Sequence, residues 1–198
     1  LSVKDRSGPV ENIILIGMPG SGKSTVGVLL AKALGCDFVD VDLVIQRREG
    51  ALLQEILDAR GVEAFLDAEE QAVLSLDCGR CVIAPGGSAV CRESAARRLK
   101  ALGTVIYLQV PLEELSSRIQ NLSTRGIAME PGQTLSDVLA SRAPLYDKYA
   151  DLTVHCGGQT LAQTARQVRE LLTLRAGGSP SPQGRYVGRA ENSSALNQ

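Results

Sequence analysis

Gly17-Met18-Pro19-Gly20-Ser21-Gly22-Lys23-Ser24 follows directly on the short apolar run Asn12–Ile16 and leads directly into a helical pattern from about Lys23 to Leu34, stopped by Gly35. The glycines of such a turn let successive backbone N–H groups curl around an anion. The N-terminus of the following helix adds its partial positive charge. The pattern G-x-x-x-x-G-K-[ST] between a strand and a helix therefore predicts a phosphate cradle. Lys23 should reach the β- and γ-phosphates of a nucleotide, the Ser24 hydroxyl should coordinate Mg²⁺, and Gly20, Ser21, Gly22 and Thr25 should complete the contact. A buried strand feeding a helix through this turn is also the start of a βαβ unit, which commits the chain to a parallel sheet.

The remaining pattern continues that theme. Short strands are predicted at Asp37–Val41, Cys81–Ala84, Thr104–Val110 and Leu152–Cys156. Helical periodicity covers Leu43–Arg48, Leu52–Arg60, Val62–Leu76, Glu93–Leu102, a helix opened by Pro111, Leu135–Tyr149 despite Pro144, and Leu161–Leu174. The alternation predicts a single α/β domain over residues 11–175, with a five-stranded parallel sheet flanked by helices. Residues 121–133 carry Gly126, Pro131 and Gly132 without periodicity and read as a mobile lid. Residues 1–10 read as a flexible lead-in, and the Gly-, Ser- and Pro-rich residues 176–198 as a disordered tail.

Ligands of parallel sheets bind at the carboxyl ends of strands. The second strand ends in Asp40-Val41-Asp42. If the strand alternation holds, both carboxylates face the cleft, one to support Mg²⁺ and one to take a proton from a substrate hydroxyl. Pro85-Gly86-Gly87-Ser88 follows the third strand, where small residues allow a ligand close to backbone amides. Arg118, Arg125 and Arg142 bracket the irregular segment, and phosphoryl transfer needs positive charge brought in as water is excluded. The only histidine, His155, lies in an apolar stretch, so the chemistry must run without a His base.

Composition narrows the field. Lys+Arg (21) and Asp+Glu (22) nearly cancel, aromatic content is 3% and Trp is absent, which argues against a nucleic-acid partner. No apolar run reaches bilayer length and the first residues lack a signal-peptide pattern, so a cytoplasmic location and no membrane partner are expected, and with no surplus apolar surface identifiable a monomer is the default. The chain begins at Leu1 rather than Met. Five scattered cysteines form no disulfide framework, and Cys78-Gly79-Arg80-Cys81 reads as a reduced loop rather than half of a metal site.

Over roughly Asn12–Leu174 the chain resembles the shikimate kinase family. The resemblance rests on the Gly17–Ser24 turn, Phe38-Val39-Asp40-Val41-Asp42, the Gly-Gly turn, Arg125 and Arg142-Ala143-Pro144-Leu145-Tyr146, all in that family's order. It implies a nucleoside-monophosphate-kinase type of fold and ATP and Mg²⁺ as cofactors, with transfer of the γ-phosphate to the 3-hydroxyl of shikimate. It further implies Mg²⁺ support from Ser24 and Asp40, acceptor binding and base catalysis by Asp42, and contact of Arg125 with the transferring phosphate. Arg118 would lie against adenine, Arg142 would pair with the substrate carboxylate, and Phe65, Gly86 and Gly87 would line the acceptor pocket. The chain departs from the family at Leu66, where a second carboxylate-binding arginine is usual, and at Leu57, Pro85, Ser88 and Gly126-Ile127. Arg60 is a candidate replacement for the missing cation. Two alternatives stay open: a different small polyol or hydroxy-acid acceptor, and a nucleotide-binding domain without catalysis.

Overall fold

The computed structural model describes residues 11–119, 126–130 and 132–177. Five strands form one sheet: β1 (Asn12–Ile16), β2 (Asp37–Asp40), β3 (Cys81–Ala84), β4 (Gly103–Gln109) and β5 (Leu152–His155). Their order is β2-β3-β1-β4-β5, and every neighbouring pair runs parallel. β1 and β3 are buried at every position and β4 at all but its two ends. Since alternate residues point to opposite faces, such strands have both faces covered, which is why they read as unbroken apolar runs.

Seven helices among the described residues supply that cover: α1 (Lys23–Leu34), α2 (Val41–Glu49), α3 (Leu53–Leu74), α4 (Glu93–Leu102), α5 (Leu112–Arg118), α6 (Leu135–Tyr149) and α7 (Leu161–Gly177). α1 packs along β3 and β2 and against α7, while α4 and α6 pack on β4. The stretch 52–76, read from sequence as two helices separated by Gly61, contains the single helix α3 (Leu53–Leu74), with a break where Gly61 adopts φ 79° and ψ 178°. α2 starts two residues earlier than its periodicity suggested. Asp40 caps it by accepting the Asp42 N–H at 3.1 Å, which ends β2 at Asp40 and makes Asp42 helical. The lead-in 1–10, residues 120–125 and 131 of the predicted lid, and the tail from 178 lie outside the described residues.

The end of the sheet opposite the phosphate cradle is closed by one side chain. Asn12 Nδ2 donates to the carbonyls of Cys78 (2.9 Å) and Leu102 (3.1 Å), and its Oδ1 accepts the Cys81 N–H at 2.9 Å. Asn12 is buried, so the side chain satisfies one buried and two partly buried backbone groups from three separate segments. Replacing Asn12 by Ala leaves those groups unpaired and is expected to lower stability by about 3 kcal/mol in urea unfolding. A loss below about 1 kcal/mol would mean that water enters and takes over the bonds.

Candidate active site

The connections leaving all five strands converge on one cleft of about 900 Å³. β1 delivers the cradle. Gly17, Gly20 and Gly22 have φ of 145°, 78° and 93°, and Gly22 caps α1 in the left-handed region, so the predicted curl of the loop is present. A Cβ on Gly20 would lie 2.6 Å from Ile119, and one on Gly22 would lie 2.4 Å from Leu161. The loop is thus pressed between the end of α5 and the start of α7, and substitution at either glycine would push it out of shape. Lys23 Nζ donates to the Gly17 and Met18 carbonyls at 2.9 and 3.0 Å. One ammonium hydrogen remains for a phosphate oxygen. Burial lowers the Lys23 pKa to about 8, against the opposing pull of Asp42, Glu69 and Asp40. Ser24 and Thr25 line the cleft with exposed hydroxyls, and Ser21 Oγ is buried without a partner.

β2 delivers the acid pair. The two carboxylates do meet near Lys23, but not by strand alternation: Asp40 is the cap of α2 and Asp42 sits in its first turn. Asp42 lines the cleft, and burial followed by repulsion from Asp40 raises its pKa to about 6, partly offset by Lys23. β3 delivers Gly86 and Gly87. A methyl group on Gly87 would lie 2.5 Å from the Pro19 ring, so this turn rests on the cradle itself. The Tyr146 hydroxyl donates to the Gly87 carbonyl at 2.6 Å and fastens the turn to α6. From β4 comes Arg118, on the cleft wall and held by Glu114 at 2.8 Å, with Nη1 buried and unpartnered. Gln159 and Thr160 after β5 close the circle.

Phe65 and Leu53 are both buried and both line the cleft. Arg142, 6% exposed, donates Nη2 to the Ala128 carbonyl, while its Nη1 has no hydrogen-bond partner. Leu57 and Leu66 are half-buried against the core and do not line the cleft. Arg60 pairs with Glu49 at 2.5 Å on the surface, so it does not replace the missing cation. Arg125 lies outside the described residues. His155 ends β5 opposite Gln109 and is not part of the wall. All five cysteines are free, and no group of three His, Cys, Asp or Glu among the described residues is placed to hold a metal ion. Burial pushes the Cys81 thiol up to about 12, so that sulfur has little thiolate character at neutral pH.

Sequence reasoning passed over Glu69. It is 1% exposed, lines the cleft, and neither carboxyl oxygen has a hydrogen bond. Burial raises its pKa to about 7. The Ser88 hydroxyl, which approaches without reaching bonding geometry, opposes the shift, Asp42 adds to it, and Arg142 and Lys23 oppose it. The signal was present in the sequence: Glu69 stands one helical turn after Phe65 and one before Ala72 and Val73, on an otherwise apolar stripe.

A glycine-rich cradle with a buried lysine, an acid pair and a buried arginine facing each other across one cleft define a P-loop kinase of small molecules. The model of the shikimate kinase family matches residues 19–173. The chain is 38% identical to the shikimate kinase of Tolumonas auensis over 83% of its own length and 98% of that protein, and 37% identical to that of Paracidovorax citrulli over 88% and 99%. Its structure is similar to that of the Acinetobacter baumannii shikimate kinase in complex with shikimate, with a TM-score of 0.79 and 31% identity over 84% of this chain and 94% of that one. The chain belongs to the shikimate kinase family.

The buried acids predict an unusual pH dependence of the unliganded fold. The folded state holds a proton on Glu69 up to about pH 7, whereas the unfolded chain releases it near 4.5. Stability from this group is therefore lost as pH rises from about 4.5 to 7 and level above, by about 3 kcal/mol in all. Asp42 contributes a smaller loss of the same sign, ending near pH 6. Urea unfolding should show Glu69→Gln more stable than the parent at pH 8 and nearly equal to it at pH 4.5. Equal stability at pH 8 would contradict the proposed burial of the charge.

Proposed function

We infer that this chain is an ATP-dependent kinase that phosphorylates shikimate, transferring the γ-phosphate to the 3-hydroxyl. The observation that carries the reading is Asp42, a half-buried carboxylate on the cleft wall between the Lys23 ammonium and the Gly86–Gly87 turn, within a chain of this family. With a pKa of about 6, Asp42 is ionised at neutral pH and can accept the proton of the attacking hydroxyl. Lys23, at the cradle, neutralises charge gathering on the transferring phosphoryl group. The buried Arg142 Nη1 offers a donor to the acceptor's carboxylate. Phe65 and Leu53 exclude water from the acceptor end. Arg125 is proposed to contact the transferring phosphate and Arg118 the adenine.

Ser24 and Asp40 fit a divalent cation. The exposed Ser24 hydroxyl opens on the cleft, and the Asp40–Asp42 pair concentrates negative charge that a cation would relieve. Mg²⁺ held there supplies positive charge to the β- and γ-phosphates. The 3-hydroxyl regiochemistry, the Mg²⁺ requirement, a monomeric state and a cytoplasmic location belong to this proposal. Among the described residues no helix is long and apolar enough to cross a membrane.

The test is shikimate-dependent ADP release from MgATP. Saturable turnover is expected, lost by at least a thousandfold in Lys23→Ala and in Asp42→Asn, with ATP binding nearly unchanged in the latter. Below about pH 6 kcat should fall tenfold per pH unit as Asp42 takes up its proton. ATP binding without turnover at any shikimate concentration would send the search to other acceptors. Undiminished activity in Asp42→Asn would remove Asp42 as the base.

A further inference from the structure

The phosphoryl-transfer steps above leave Glu69 without a task, yet the cleft is built around it. A methyl group on Gly86 would lie 2.1 Å from Glu69 Oε1 and 3.1 Å from Asp42 Oδ1, so the glycine floor is bare because two carboxyl groups press against it. Glu69 is buried on the acceptor wall with both oxygens unpaired, and Arg142 is buried nearby with Nη1 unpaired. Two buried orphans of complementary chemistry in one pocket are costly unless a ligand completes them. The groups that face Glu69 are Lys23 from α1, Asp42 from α2, and Arg142 and the Tyr146 phenol from α6, with the Ser88 hydroxyl and the Cys91 thiol from the turn after β3. Asp42 and Glu69 thus face Lys23 and Arg142 at this end of the cleft, and Lys23 is committed to phosphate.

An anionic acceptor entering such a pocket meets one cation and one acid. If Glu69 stayed ionised, the acceptor's carboxylate would be repelled at close range in a site that water leaves. If Glu69 carried a proton, its O–H would donate to that carboxylate while Arg142 Nη1 donated beside it. We propose that Glu69 is a substrate-binding residue that acts as a neutral carboxylic acid, sharing its proton with the carboxylate of the acceptor in partnership with Arg142. This rests on the reading of the acceptor as shikimate or a similar carboxylic acid. Binding then takes one proton from solvent whenever Glu69 begins ionised: the proton adds to a Glu69 oxygen and is held between that oxygen and the acceptor. The site reads a carboxylate with one guanidinium and one acid, and its affinity for the acceptor weakens in alkali. A Glu69 protonation constant near neutrality agrees with this.

The experiment is calorimetry of shikimate binding to the full chain, saturated with a non-hydrolysable ATP analogue and Mg²⁺, at pH 6 and pH 8 in two buffers of different ionisation enthalpy. Uptake of about one proton per site is expected at pH 8 and little at pH 6, with affinity about tenfold weaker at pH 8. Glu69→Gln keeps a donor without a titrating proton. It should bind at both pH values with near-equal affinity and no uptake, whereas Glu69→Leu should bind weakly at both. Steady-state kinetics should place the wild-type pH effect above pH 7 in KM for shikimate rather than in kcat. Binding at pH 8 without proton uptake, affinity that improves with pH, or uptake that survives in Glu69→Gln would each overturn the proposal. The wild-type uptake decides the matter even if a variant fails to fold. Absence of any shikimate binding or turnover would instead overturn the shikimate reading and this inference with it.

Discussion

Gly87 lies so close to Pro19 that no side chain fits between them, and the architecture of the site depends on that contact. Pro19 belongs to the glycine-rich cradle, whereas Gly87 belongs to the turn after β3 that lines the same cleft. The contact locks the two turns together, and the hydroxyl of Tyr146 fixes the Gly87 turn from the other side. Tyr146 in turn packs against Tyr107 of β4, with ring centroids 5.0 Å apart, so the position of the turn is referred back to the centre of the sheet. In-line transfer tolerates little misplacement, and this chain of contacts supplies the positional accuracy.

The electrostatics of the cleft come at the expense of the unliganded fold. Burial lowers the pKa of Lys23 and raises those of Asp42 and Glu69, which means that each charged form is less comfortable here than in water. Lys23 spends two of its hydrogens on the carbonyls of its own loop, and Arg142, Arg118 and Ser21 each keep a buried polar atom unpaired. Ligands that bring phosphate and hydroxyl oxygens satisfy these groups without waiting for solvent to reorganise. Stability that these groups cost the fold is thereby recovered as binding and as transition-state stabilisation.

Much of this was legible in the linear chain. The glycine spacing before Lys23, the apolar runs and the alternation of strand and helix were enough to predict five parallel strands, because backbone geometry and burial act over short stretches of sequence. Asp42, Phe65, Gly86, Gly87 and Arg142, singled out from the sequence, all line the cleft. The reason offered for the acid pair was wrong in detail, since Asp40 is a helix cap and a side chain's direction changes where a strand gives way to a helix. Arg60 was out of reach of sequence reasoning for a different reason. Its nearest partner, Glu49, is a surface residue brought beside it only by the packing of α2 on α3.

By itself, the sequence determined that the chain binds phosphate at the end of a buried strand, since the cradle is made of consecutive residues and its chemistry is local. What the tertiary structure decided is which distant groups face that phosphate. Leu57 and Leu66, which looked like changes to the pocket, pack half-buried against the core and do not line the cleft, while Glu69, which looked like one more polar residue of a long helix, stands unpaired against the glycine floor. Helix periodicity names the residues that share a face. The break at Gly61 and the seat of α3 in the fold decide what that face meets, and those follow from contacts between segments far apart in the chain.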